Sequence, residues 1–204
     1  DLQACVEADV TVTFGVQKPG LLVAPGNGVA GHIVVVDIGL DAVLPPPQIQ
    51  VLDEVDFGSW LTGPAHGDYK YSRGVVGVAA GSPRYRGAAF LATAGARYGT
   101  SGMTRFLDRG DGIAAAVVEQ FWDVVSAEST GDPRVSSWVI GPGLGTDEAA
   151  AALLAGVLGE HVPVVLDADA LRILAPCRAR VPGRFGAGHL TFLTPHGGEF
   201  VGLA

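Results

Sequence analysis

The chain has 204 residues, of which 48% are hydrophobic and 17% charged, with a net charge of −8. That composition excludes a disordered chain. The acidic balance argues against a nucleic-acid backbone or an anionic membrane as main partner, while a small anionic ligand held by backbone N–H groups stays compatible with it.

Residues 8–14, ADVTVTF, alternate Val10, Val12 and Phe14 with Thr11 and Thr13, which predicts a strand. QKPGLLVAPG follows as a loop broken by Pro19-Gly20 and Pro25-Gly26. HIVVVDIGL, 32–40, is a nearly continuous apolar strand, the pattern of burial on both faces. Pro45-Pro46-Pro47 is a stiff extended break, and a domain boundary is placed beside it, between 43 and 44.

Beyond the break, strands and helices alternate. Strands are predicted at 74–82, 103–107, 123–128, 136–145 running into a triple-glycine turn, 163–171 ending in two aspartates, and 189–194, with helices over 87–99, 111–121 and from Thr146 to about Gly159. Ile113, Val117 and Phe121 share one helical face. Thr146 is read as the N-cap of the third helix, with Asp147 and Glu148 in its first turn. This order predicts an α/β fold with a mostly parallel sheet and helices on its faces. Cys5 and Cys177 read as unpaired thiols of a reducing compartment, and no apolar run reaches the length of a membrane span. The start at Asp1 rather than at a methionine leads us to expect a piece of a longer cytoplasmic protein.

Ligands of open α/β sheets collect at the carboxyl ends of the strands. Four such ends carry unusual residues: Gly81-Ser82, Gly141-Pro142-Gly143-Leu144-Gly145, Asp167-Ala168-Asp169 and Thr194-Pro195-His196-Gly197-Gly198-Glu199. The G-x-G-x-G turn before a helix serves equally as a phosphate- or ribose-binding nest and as a tight strand–helix connection. Gly141, Gly143 and Asp167 are therefore candidates for the vicinity of a phosphate or its metal, whereas Asp169 reads as a helix N-cap. His196, after a proline and before two glycines, reads as an exposed, ligand-facing imidazole, and Glu199 as a cap of the next helix. Lys70 and Arg73 read as solvated charges at the amino end of a core strand. Arg84 and Arg86, at the opposite end, are better placed to meet an anion, although a merely solvated loop fits them as well.

Four motifs in order, DYKYSRGVVGVAAGSPRYRGAAFLATAGA, WVIGPGLGTD, VPVVLDADAL and LTPHGGEF, resemble the ADP- or ATP-dependent NAD(P)H-hydrate dehydratases, which are ribokinase-like. The head, ADVTVTFGVQKPGLLVAPG with GHIVVVDIGL, resembles the closing segment of an NAD(P)H-hydrate epimerase domain, the end of a Rossmann-like α/β domain. The resemblance implies residues 1–43 from the epimerase domain and 44–204 from an incomplete dehydratase domain of a bifunctional repair enzyme. It implies hydrate-binding positions at Ala88, Gly145 and His196. It further implies ADP or ATP with Mg2+ as cofactors, K+ for the epimerase, NADHX and NADPHX as substrates, and a homo-oligomer when full length. The catalytic residues and the nucleotide segment are expected downstream of Ala204, so that the piece by itself is expected to be inactive. Gly197 stands where the family usually has a second proline, and Gly99-Thr100-Ser101-Gly102 where it usually has Gly-Ala-Gly. A ribokinase-like kinase of a small alcohol and a non-catalytic nucleotide-binding remnant are the rival readings.

Overall fold

The computed structural model describes residues 5–40, 43–46, 51–52, 54–61, 63–99, 101–174, 184 and 188–203. Cys177 and parts of the triple-proline and Gly99–Gly102 segments lie outside them. By contacts the chain divides into two compact units, Asp1–Trp60 and Leu61–Ala204.

In the first unit, β1 (Val10–Phe14) pairs in parallel with β2 (His32–Val36), Val10 opposite His32 and Phe14 opposite Val36. Between them lie a short helix, α1 (Pro19–Leu22), and a 3₁₀ turn, Gly26–Gly28. The sequence suggested a plain loop there. Pro19 instead opens a helical turn, where its missing N–H costs nothing. Helix α2 (Glu54–Trp60) ends the unit.

The buried character expected of β2 is not found: Val34, Val35 and Val36 are all exposed. Only Thr13 and Ala30 are buried among the described residues of the unit. Apolar continuity records that a strand is suited to being covered. In the described two-stranded sheet, no second layer covers it.

The second unit is built on a six-stranded parallel sheet in the order β5-β4-β3-β6-β7-β8. Its strands are β3 (Val75–Ala79), β4 (Met103–Leu107), β5 (Val124–Ala127), β6 (Ser137–Ile140), β7 (Val164–Leu166) and β8 (Thr191–Leu193). Helices α3 (Arg86–Tyr98), α4 (Ile113–Gln120) and α5 (Glu148–Gly159) connect them. A single turn, α6 (Asp169–Arg172), follows β7, and α7 (Gly197–Leu203) follows β8.

Alternation along β3 sorts the core into two layers. Val75 and Ala79 join Trp138 and Ile140 against Leu154, Val157 and Leu158 of α5. Val78 joins Phe106 against Ala89 of α3 and Ile113 and Val117 of α4, with Phe121 packed at the margin. Gly77 lies opposite Trp138 in the register, and a Cβ there would stand 2.7 Å or less from the indole. The missing side chain is what admits the largest core residue.

Helix α5 starts one residue later than its sequence suggested. Thr146 is exposed, and Asp147 is the N-cap, its Oδ1 accepting the Ala150 N–H at 2.8 Å. Thr and Asp both cap well, and a carboxylate has the added attraction of the helix dipole. Asp147→Ala is expected to lower stability by about 1 kcal/mol, and Thr146→Ala by no more than a few tenths. Equilibrium urea unfolding of the two variants reads the difference.

Candidate functional site

Because β3, β6, β7 and β8 are adjacent and parallel, the four unusual strand ends are neighbours along one rim of the sheet. Direct contacts join them in pairs. Gly81 N–H donates to Pro142 O at 2.7 Å, linking the loop after β3 to the glycine turn after β6. A Cβ on Gly141 would overlap the carbonyl of Asp167 and crowd Ala170, so the turns after β6 and β7 lie against each other. Thr194 Oγ stands 2.8 Å from Asp167 Oδ1 and 3.2 Å from Leu166 O, tying the end of β8 to the end of β7.

The three glycines of the turn do different jobs. All have positive φ: 128° at Gly141, 61° at Gly143 and 91° at Gly145. Gly141 and Gly143 are also required sterically, since a Cβ on Gly143 would come within 2.7 Å of the Ala88 methyl and 2.8 Å of Tyr85 Cβ. Ala88, in the first turn of α3, is thus small because the glycine turn packs on it. Gly145 alone faces open space on the side where a Cβ would stand. It is the glycine of this turn that a ligand can approach.

Asp169 differs from its sequence reading. It does not cap its own helix: the N-cap position is Ala168, with no side-chain cap bond. The Asp169 carboxylate crosses to the neighbouring turn, where Oδ2 accepts the Gly145 N–H at 3.0 Å. A cap and a turn clamp use the same short acid, and only the fold decides between them. Two more N–H groups of the turn are engaged, Gly141 with Ala79 O and Leu144 with Gly141 O. The turn is therefore internally satisfied at these three donors. Ala168 has φ 49° and ψ −117°, a conformation that L-residues avoid, between the two aspartates. Strain of this kind concentrates at ligand-binding rims, and nothing in the residue type announces it.

His196 is exposed as expected, and it is also a helix cap. Its Nδ1 accepts the Gly198 N–H at 3.1 Å, its N–H donates to Glu199 Oε2 at 3.1 Å, and its carbonyl accepts from Phe200. This is a capping box with histidine in the place of serine or threonine. Nδ1 is unprotonated in this arrangement, and Nε2 lies 3.3 Å from Glu199 Oε1. The bonds of His196 are all local, so it reaches the rest of the rim only through Thr194, two residues before it.

Arg109 escaped the sequence reading. Its Nη1 donates to Gly81 O at 2.9 Å and lies 3.4 Å from Leu144 O, clamping the loop after β3 to the glycine turn. The signal was present as a cation just before two glycines, Asp108-Arg109-Gly110-Asp111-Gly112, at another strand end. Arg109 also lines a cleft of about 700 Å³ with Pro83, Asp108, Asp111, Glu128 and Leu153. Arg84 lies over the Tyr85 ring at 5.3 Å, Lys70 over the Tyr71 ring at 5.1 Å, and Arg73 4.0 Å from Asp68. Hydrogen bonds from the Ala65 N–H and Ser72, with Arg73 nearby, hold the Asp68 carboxyl below its ordinary range. Among the described residues, no group of three or more His, Cys, Asp or Glu converges as a metal site, and no helix is long and apolar enough to cross a membrane.

The profile of the NAD(P)H-hydrate dehydratase family matches residues 76–204. The bifunctional NAD(P)H-hydrate repair enzyme Nnr of Mycobacterium tuberculosis is 44% identical over 201 residues, which are 98% of this chain and 40% of that protein. The ADP-dependent (S)-NAD(P)H-hydrate dehydratase of Neisseria meningitidis is 37% identical over 144 residues, 68% of this chain and 48% of that protein. The chain thus spans 40% of the length of the Mycobacterium relative and less than half of the Neisseria one. The Bacillus subtilis ADP/ATP-dependent NAD(P)H-hydrate dehydratase, crystallised with ATP and Mg2+, superposes with a TM-score of 0.59 at 24% identity, over 74% of this chain and 55% of that one. A ribokinase-like superfamily protein of Enterococcus faecalis gives 0.57 at 22%, over 70% and 52%. These two likenesses establish the ribokinase-like α/β fold.

The division of labour in the turn has a direct consequence. Gly141→Ala is expected to cost about 3 kcal/mol or more, from carbonyl overlap added to the positive φ. Gly145→Ala is expected to cost only about 1–2 kcal/mol, the left-handed penalty alone. Chemical denaturation of the two variants distinguishes the packing glycine from the accessible one.

Proposed function

The chain belongs to the NAD(P)H-hydrate dehydratase family, and from that premise we propose that it carries the hydrate-binding rim of an ADP- or ATP-dependent NAD(P)H-hydrate dehydratase. Residues 1–43 are then the end of an NAD(P)H-hydrate epimerase domain and 44–204 belong to the dehydratase domain, within a cytoplasmic, homo-oligomeric nicotinamide nucleotide repair enzyme. The observation that carries the reading is the rim itself: Gly145 open to solvent, buttressed by Asp169 and Arg109, between the methyl of Ala88 and the β8 end that bears His196.

Each residue of the rim has a physical role in that reading. Ala88 keeps the start of α3 low, so that the ligand lies against the glycine turn. Gly145 supplies an approach with no side chain. His196, with Nδ1 committed to its helix and Nε2 3.3 Å from Glu199 Oε1, offers its exposed ring edge, and a ligand acceptor would share the Nε2 proton with Glu199. Asp167, with Thr194 on Oδ1, keeps acceptor capacity for a hydroxyl or amide of the ligand. Phosphorylation of the hydrate's hydroxyl supplies the reaction with phosphate as a leaving group in place of hydroxide.

The described residues do not make a site for the donor's Mg2+. Asp167 is a lone carboxylate already engaged by Thr194, and no third ligand joins it. No metal step is therefore assigned to this chain, and the same holds for the K+ of the epimerase.

Turnover of hydrated NADPH, restoring the dihydropyridine chromophore when ADP or ATP is added, tests the activity in the protein that carries this chain. Turnover of a hydroxymethylpyrimidine-type alcohol instead would transfer the assignment to a small-molecule kinase. The role of His196 is tested by two substitutions. His196→Asn keeps a side chain that caps helices well, so stability is expected to hold, while affinity for hydrated NADPH falls about three- to tenfold with the lost hydrogen bond. His196→Ala is expected to lose the same affinity and about 1 kcal/mol of stability besides. An affinity unchanged in His196→Asn makes the residue a cap and nothing more.

A further inference from the structure

Away from the rim, at the opposite ends of the strands, His161 and His189 face each other. His161 lies on the connection from α5 to β7, and His189 two residues before β8. Nδ1 of His161 is 3.1 Å from Nε2 of His189. The rings are tilted by 43°, with centroids 4.8 Å apart. Two imidazoles meeting head to head across 3.1 Å would hold their centroids farther apart than this, by the sum of the two ring radii. The contact, a hydrogen bond whose donor depends on the tautomer, is therefore bent away from the straight head-to-head line, an arrangement that leaves room for an ion beside both nitrogens.

We propose that His161 and His189 form a two-imidazole site for a borderline divalent cation of the first transition row, with Zn2+ as its representative. An ion bonded to both nitrogens at about 2.0–2.1 Å would subtend about 98° across the observed 3.1 Å, between the tetrahedral and octahedral angles. Imidazole nitrogen suits Zn2+, Ni2+ and Cu2+, and rejects Mg2+ and Ca2+, which prefer oxygen. Whichever ring now carries a proton at the contact passes it to its own far nitrogen through solvent, so both rings remain neutral and both lone pairs serve the ion. Water completes the coordination, since no third His, Cys, Asp or Glu joins the pair among the described residues.

The pair is held ready by a buried neighbour. Arg184 is 4% exposed and spans the same seam. Its Nη1 donates to Glu160 O at 2.6 Å, and its Nη2 to Val162 O at 2.7 Å and Leu190 O at 3.1 Å, while its Nε donates to Thr191 Oγ at 3.1 Å. The carbonyls on either side of His161 and the residues just after His189 are thus pinned before any ion arrives, which removes ordering entropy from binding. The Arg184 guanidinium is the cation at this seam, and its burial pulls its pKa down from the ordinary value. A bound ion would clip the α5–β7 connection to β8, the outermost of the described strands on that side, and so hold the element that carries Thr194 and His196.

Thermal unfolding in excess ZnCl2 tests this. The wild-type protein is expected to gain about 3 °C or more in Tm, with no gain in MgCl2. His161→Asn and His189→Asn should each abolish the gain, and His66→Ala should leave it intact. Ring resonances of His161 and His189 should also shift together up to one equivalent of Zn2+, which reads the site even if a variant folds poorly. No Zn2+ gain in the wild type, or a gain that survives both substitutions, overturns the proposal.

Discussion

The Asp169 carboxylate on the Gly145 N–H is the contact on which the rim depends. It spans two strand-end turns that sequence separates by 24 residues and that the parallel pairing of β6 with β7 makes adjacent. Around it, Gly141 lies against the Asp167 carbonyl, and Gly143 against Ala88. Arg109 approaches from the far side and holds the β3 loop in place. Each contact requires the one before it. If β7 slipped by one residue, Asp169 would face away and the glycine turn would lose its acceptor.

The alternation of strands and helices was legible because it follows from period and composition. The apolar runs around Val78, Phe106 and Ile140 could only be buried, and they are. What sequence left ambiguous were choices between two jobs for one residue type. Asp169 had the chemistry of a cap and of a clamp, and Thr146 and Asp147 were both competent caps. His196 had the features of an exposed ligand-facing ring and turned out to satisfy a helix end as well. In each case local chemistry allowed both answers, and a partner distant in sequence or one turn of backbone geometry selected one. Ala168 had no signal at all, because alanine at positive φ is a consequence of the surroundings and not of its side chain.

The first unit shows the converse limit. β2 is apolar throughout its core, yet Val34, Val35 and Val36 are exposed, beside a β1 whose Val10, Val12 and Phe14 are exposed too. A two-stranded sheet with few buried residues is marginal by itself. Its sequence carries the pattern of a covered strand, and among the described residues no layer covers it, so the pattern predicts suitability for burial and not burial itself.

The Asp169 carboxylate on the Gly145 N–H also sets the electrostatics of the turn at that point. A phosphate at Gly145 would have to displace the carboxylate that its N–H already holds. Two unit negative charges about 4 Å apart near a protein surface repel by about 4 kcal/mol, so Asp169 drives an anion away from this point instead of inviting it. Asp167 stands on the same rim with the same sign. What the rim offers is open space beside Gly145, acceptor oxygens on the aspartates and the exposed imidazole of His196. On the function proposed above, hydroxyl and carboxamide groups of a hydrated nicotinamide ring would suit that set, donating to the carboxylates and bringing no charge. Two of the glycines are explained by packing, Gly141 against the Asp167 carbonyl and Gly143 against Ala88, and only Gly145 leaves open space where a side chain would stand.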